Sequence, residues 1–310
     1  MQAGMLGRSA ELRELLSLAA GGGVYYVYGP RGVGVSSLLR WFISSLAHVS
    51  GYAVAYVDGF EGEREDLAVS GTPLLVARFR AAVSPNVPVG RGMVLALPVV
   101  VGGFPAQGLR IVVVVDHVDR VLGGESLRGF AEGLAGLAER LVARGAVSVA
   151  FFLAGRALGA RMLRGVAEPV LVEGIDATSY AELARRLGAP QGFNAHGFWE
   201  LTQGNPGELV LLAHRYLWNV EFWRGAIAAR LRRVARLLEA RGLQEELARA
   251  VEEGPDAASP RLLELLEAHD VVYSGEAKPL QDRKVCAAGY CWQLPVYREV
   301  LGELLGVGRR

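Results

Sequence analysis

The sequence predicts an α/β fold: a parallel sheet carrying a phosphate-binding turn (P-loop), then a helical segment, then a C-terminal winged-helix-like domain. Three observations carry this. Ile111 to Val115 is an unbroken β-branched run ending in Asp116, the pattern of a central parallel strand buried on both faces. Short β-rich runs alternate with helix-like stretches between Val24 and Val172, as in successive βαβ units. Beyond Gly174 the apolar spacing turns to three and four, which is helical.

In order, Val24 to Tyr28 reads as a strand, Ser36 to Ala47 as a helix and Ala53 to Asp58 as a second strand. The segment from Gly59 to Arg110 is rich in Gly and Pro. A helix fits Pro73 to Ala82, and the rest of that segment carries no assignable element. The Ile111 strand follows, then a helix over Ser126 to Arg144 and strands at Ser148 to Leu153 and Pro169 to Val172. Asp176 to Leu187 is a helix with Asp as its cap. Further helices fit Ala195 to Thr202, Pro206 to Leu217 and Glu221 to Ala240. A turn at Pro255 to Pro260, a helix over Leu262 to His269, a hairpin over Val271 to Trp292 and a helix over Pro295 to Leu305 give the winged-helix-like end. The expected domains are 1–174, 175–222 and 223–310.

With 310 residues, 51% of them hydrophobic and 21% charged, the chain is globular and has material for two or three domains. A net charge of +1 excludes a global field that attracts nucleic acid, so any such contact needs a local patch. The apolar runs Met93 to Val101 and Val147 to Ala154 fall short of the ~20 residues that cross a bilayer, so no membrane partner is expected. Met1 to Glu11 lacks the apolar stretch of a secretory signal, and the expected location is cytoplasmic. Cys286 and Cys291 are too few for a disulfide scaffold or a four-ligand zinc site; a bridge, two free thiols and metal binding all remain open.

Gly29-Pro30-Arg31-Gly32-Val33-Gly34-Val35-Ser36 has P-loop spacing at every position but one. The strand before it and the helix after it supply the context that the motif needs. Glycines let backbone N–H groups turn around phosphate, and the helix start adds partial positive charge. The candidate phosphate-binding residues are Gly29, Arg31, Gly32, Val33, Gly34, Val35, Ser36 and Ser37, and the ligand they suit is ATP or ADP. The Ser36 hydroxyl is a candidate Mg²⁺ ligand. Val35 stands where lysine belongs. Losing that ammonium removes a charge-assisted bond of roughly 1.5–3 kcal/mol, which predicts binding weaker by ten- to a hundredfold. The reading that the loop survives as an empty structural turn stands beside this one.

The third main strand ends in Asp116-His117-Val118-Asp119. Asp116 is placed to hold the Mg²⁺ water shell. His117 stands where hydrolytic enzymes of this kind carry the glutamate that aligns water, so Asp116 and His117 are the candidate catalytic pair. The bland reading of His117 is a solvent-edge side chain.

The order of motifs resembles the archaeal ATPase family of the AAA+/STAND P-loop ATPases, relatives of the archaeal replication-initiator ATPases. Gly7-Arg8-Ser9-Ala10-Glu11-Leu12 resembles its opening GRxxEL motif, Val113 to Asp116 its acidic strand and Val149 to Gly155 its fourth strand. Gly204-Asn205-Pro206 with Leu209 resembles the GNP turn of its helical lid, and Trp292 to Arg298 its closing winged-helix segment. The resemblance implies nucleotide-driven switching. Val35, His117, Gly155-Arg156 and Gly207 all depart from positions with catalytic roles in the family. They point to a weak nucleotide binder or pseudo-ATPase acting as a regulatory or scaffold subunit, beside a protein partner or an active paralogue. The alternatives are an active ATPase using Arg31 and His117 in altered roles, and a DNA-binding module with a purely structural P-loop domain. For DNA, a sequence-tolerant partner, the candidates are Arg230, Arg232, Arg233 and Arg236 on one helix and Lys278 and Lys284 in the hairpin; a solvated basic face is the competing reading.

Overall fold

The computed structural model describes residues 6–61, 64–83, 87–280 and 289–307. The chain divides into two compact units. One comprises Ser9–Tyr28 and Val35–Leu171; the other comprises Met1–Arg8, Gly29–Gly34 and Val172–Arg310.

The first unit is the sheet. β1 (Gly23–Tyr28), β2 (Tyr52–Asp58), β3 (Val69–Gly71), β4 (Arg110–Asp116), β5 (Ser148–Ala154) and β6 (Glu168–Leu171) stand in the order β3-β2-β4-β5-β1-β6. Every pairing is parallel except β2 with β3. Ile111 to Val115 are fully buried in β4, as their β-branched run requires of a strand covered on both faces. Helix Val35–Leu46 buries Leu38, Leu39, Phe42, Ile43 and Leu46, one face at helical spacing. Helix Gly124–Ala143 does the same with Leu127, Ala131, Leu134 and Leu141.

The segment from Gly59 to Arg110 holds the expected helix Pro73–Ala82 and, where no element was expected, a short helix Glu65–Ala68, β3 and helix Val89–Gly102. The last of these contains Pro98 inside it, which is why the sequence reads as loop. Gly90 is there for close packing: a Cβ on it would lie 2.1 Å from the Asp58 carbonyl oxygen.

The second unit is mainly helical. Asp176, Asn194, Asn205, Asn219 and Ser259 each accept a backbone N–H at the start of the helix that follows, so the local sequence sets where these helices begin. Helix Gln244–Glu253 is an addition to the expected set. Strands Val272–Ser274 and Tyr290–Trp292 pair antiparallel. One hydrophobic core runs from Ile175 and Phe198 through Trp223 and Leu231 to Tyr297 and Leu301. The division expected at 222/223 falls inside helix Val220–Glu239, whose Trp223 ring packs on Phe198.

Candidate functional site

The loop Gly29–Gly34 belongs to the helical unit, and four other parts of that unit hold it. Arg8 donates to the carbonyls of Glu173 and Val33 at 2.7 and 2.6 Å. The Asn205 side-chain amide donates to the Arg31 carbonyl at 2.8 Å, and the Gly207 N–H donates to the Gly32 carbonyl at 3.0 Å. The Arg31 N–H donates to Gln293 Oε1 at 2.9 Å. The Arg31 side chain is 76% exposed, with its guanidinium 3.8 Å from Asp270. Gly32 needs glycine twice over: its φ is +87°, and a Cβ would stand 3.0 Å from Asn205 Oδ1. Gly34 has φ +99° and open surroundings, so there the backbone angle is the whole reason. Gly207 likewise has no room for a side chain, since its Cβ would sit 2.6 Å from the Gly32 oxygen.

Gly32 and Gly34 have positive φ, and a 12-residue helix follows in the chain from Val35. Val35, Ser36 and Ser37 form that helix's first turn.

In the sheet unit, Asp116 closes β4 and is 2% exposed. The Tyr56 hydroxyl donates to its Oδ2, and the His117 N–H donates to its Oδ1 at 2.9 Å. Burial, with the Asp116 charge next, pushes the Tyr56 hydroxyl far above the usual phenol range. Each Asp116 oxygen thus accepts one hydrogen bond, which leaves lone pairs on both.

His117 takes a left-handed backbone, φ 54°, which histidine tolerates better than most residues. Its Nδ1 lies 3.0 Å from Asp58 Oδ1. That hydrogen bond lifts the imidazole above its ordinary range, against the opposing effect of burial. Burial pushes Asp58 the other way, but the bonds from His117 and the Phe60 N–H, with the Arg40 charge, hold its carboxyl below the usual range. Arg40 meets Asp58 at 2.6 Å and stacks over the Tyr56 ring. Asp119 is bound by Arg156 at 2.8 Å. The structure therefore gathers Asp116 and His117 with Asp58, Tyr56 and Arg40, which sequence reasoning missed. The one signal was that β2 and β4 both end in Asp, and Asp58 and Asp116 are register partners.

On helix Val220–Glu239, Arg232, Arg233 and Arg236 are exposed. Arg230 is half-buried and donates to the Tyr297 hydroxyl and the carbonyls of His269 and Asp270. Lys284 and Cys286 lie outside the described residues, as does the side chain of Lys278. Cys291 stands on the strand Tyr290–Trp292.

A sequence profile described as an ATPase domain predominantly from Archaea matches residues 5–212. No curated protein matches the chain. Among solved structures, the Walker-type ATPase paby2304 of Pyrococcus abyssi aligns over 96% of this chain and 95% of its own, at 19% identity and a TM-score of 0.54. Cdc6p of Pyrobaculum aerophilum aligns over 96% and 94% at 12% identity, with a TM-score of 0.41. The similarity to paby2304 is one of fold. Among the described residues, no helix is long and apolar enough to cross a membrane.

Proposed function

The chain belongs to the family of ATPase domains found predominantly in Archaea, and on that premise we propose that it binds ATP or ADP weakly, turns over little or none, and serves as a regulatory or scaffold subunit. The observation that carries this is the double engagement of Asp116 by Tyr56 and His117, together with Val35 in the lysine position. Tyr56 and His117 compete with a metal's water shell for the buried Asp116 carboxylate, and a loop without lysine lacks the point charge for the β- and γ-phosphates. What the loop keeps is shape. Its carbonyls at Arg31 and Gly32 are tied to Asn205 and Gly207, so a phosphate on its N–H side acts on the same peptides that the lid holds. The partner would be a protein, an active paralogue included, with sequence-tolerant DNA contact through the exposed arginines as an added role.

One observation favours the second reading, an active ATPase. His117 has an orienting partner in Asp58, as a general base requires. The same bond favours the protonated imidazole, which is the wrong state for a base, and this keeps the first reading ahead.

The test is titration calorimetry with ATP and ADP, with and without Mg²⁺, paired with phosphate release. Wild type should release phosphate no faster than Ser36→Ala, and Val35→Lys should bind ten- to a hundredfold more tightly. Turnover that Asp116→Ala abolishes would overturn the proposal.

A further inference from the structure

A cleft of about 380 Å³ in the helical unit opens between the loop, the lid helix Pro206–His214 and the closing helix Pro295–Leu305; its walls include Arg31, Glu208, Leu211, Arg230, Leu294 and Tyr297. That volume lies within the usual range for a small-molecule site. The cleft is on the carbonyl side of the loop. The Arg31 and Gly32 carbonyls point to Asn205 and Gly207. In a trans peptide the Gly32 N–H therefore points the other way, and the Val33 N–H is taken by the Pro30 carbonyl at 3.0 Å. A phosphate cradled by the loop's N–H groups is not in this cleft.

The walls carry two arginines, Arg31 and Arg230, and one carboxyl, Glu208. Arg230 donates to one phenol and two carbonyls, all neutral, and among the described residues no carboxylate lies within ion-pair distance of it. Arg31 has only Asp270 at 3.8 Å, beyond hydrogen-bond reach, so its fork is open. Glu208 is the acid on the wall. It accepts the Trp223 indole N–H at 2.7 Å, and burial favours its neutral form. Leu211, Leu294 and the Tyr297 ring supply an apolar wall, with Arg230 fixing the Tyr297 hydroxyl. A second hollow of about 260 Å³ begins at the same Arg230 and includes Arg233.

We propose that this cleft binds a small phosphorylated ligand with a flat apolar body, its phosphoryl group on Arg31 and Arg230 and its body against Leu211, Leu294 and Tyr297. The site is independent of nucleotide binding at the loop.

The probe is phenyl phosphate, titrated calorimetrically into the full chain. Wild type should bind it. Arg31→Gln should lose tenfold or more, as should Leu211→Trp, which fills the cleft from a position that is 41% exposed. Charge-assisted bidentate recognition sets that scale. Glu208→Gln should bind more tightly, and Ser36→Ala should bind phenyl phosphate as wild type does even where nucleotide binding is lost. Should Leu211→Trp not fold, Arg31→Gln carries the test on its exposed side chain. Absence of binding by wild type overturns the proposal. So does an equal loss in Ser36→Ala, which would put the phosphate on the loop's other side. Displacement of the probe by duplex DNA, with DNA binding itself lost in Leu211→Trp, overturns it too, in favour of a nucleic-acid phosphate.

Discussion

Gln293 accepts the backbone N–H of Arg31 at 2.9 Å across 262 positions of sequence, and its own amide group donates to the Val272 carbonyl. One buried side chain thus joins the phosphate loop to the C-terminal strand pair. Gln293→Ala leaves the Arg31 N–H and the Val272 carbonyl each short of a partner. The expected cost is about 1–3 kcal/mol, read from urea unfolding, with faster amide exchange at Arg31. Unchanged stability and exchange would show that the bond does not hold the loop.

Tyr56→Phe keeps the ring under Arg40 and removes the hydroxyl from Asp116. The buried carboxylate oxygen then lacks its donor, at a cost of about 1–3 kcal/mol. It also becomes open to a cation. The variant should be less stable than wild type without metal and should regain part of the loss with Mg²⁺ and ADP, measured as melting temperature. If Mg²⁺ raises melting no more in the variant than in wild type, freeing this oxygen does not make Asp116 a cation ligand.

Much of the sheet was legible because burial on both faces demands a β-branched run, and Ile111 to Val115 supplied one. The helix starts were legible because Asp176, Asn205 and Ser259 cap with their own side chains. Helix Val89–Gly102 was hidden by Pro98 inside it and by glycines of the kind that mark turns, whereas Gly90 serves close approach to the Asp58 carbonyl. Of the acidic cluster, Asp116 and His117 could be read from the strand end. Tyr56 could not, since a tyrosine in a strand ordinarily signals packing. The hold of Arg8, Asn205 and Gln293 on the loop depends on tertiary placement that no local pattern encodes.

Glu208 gives a pH signature. Burial raises its folded-state pKa, against the Trp223 hydrogen bond and the charges of Arg230 and Arg31. The folded chain therefore holds this proton at pH values where the unfolded chain has already released it. The associated stability is present below the ordinary glutamate value and is lost as pH rises through the higher folded value. Compared with Glu208→Gln, wild type should lose stability across that window and then run parallel to it. Urea midpoints of the two proteins over the acid-to-neutral range check this, and a constant difference would show that the carboxyl is not perturbed.

Any binding to DNA should run through Arg232, Arg233 and Arg236, and it should be tolerant of sequence. Net charge is +1, so only a local cluster can attract phosphate, and these three side chains are exposed on one helix. Arg230 is left out of the group because, unlike these three, it is half-buried. Contacts of this kind go to the backbone, so affinity should fall with salt by a log–log slope of about −0.9 per phosphate neutralised. The triple change to Gln should stay folded, since Leu231, Val234 and Leu238 hold the buried face of that helix. It should weaken binding equally for unrelated duplexes and flatten the salt slope. Fluorescence anisotropy over a salt series, with a melting curve as the folding control, decides the matter. A folded triple variant that binds as wild type does would make the helix an ordinary solvated face. A wild type that binds no duplex at low salt would leave the C-terminal module as a protein-docking element.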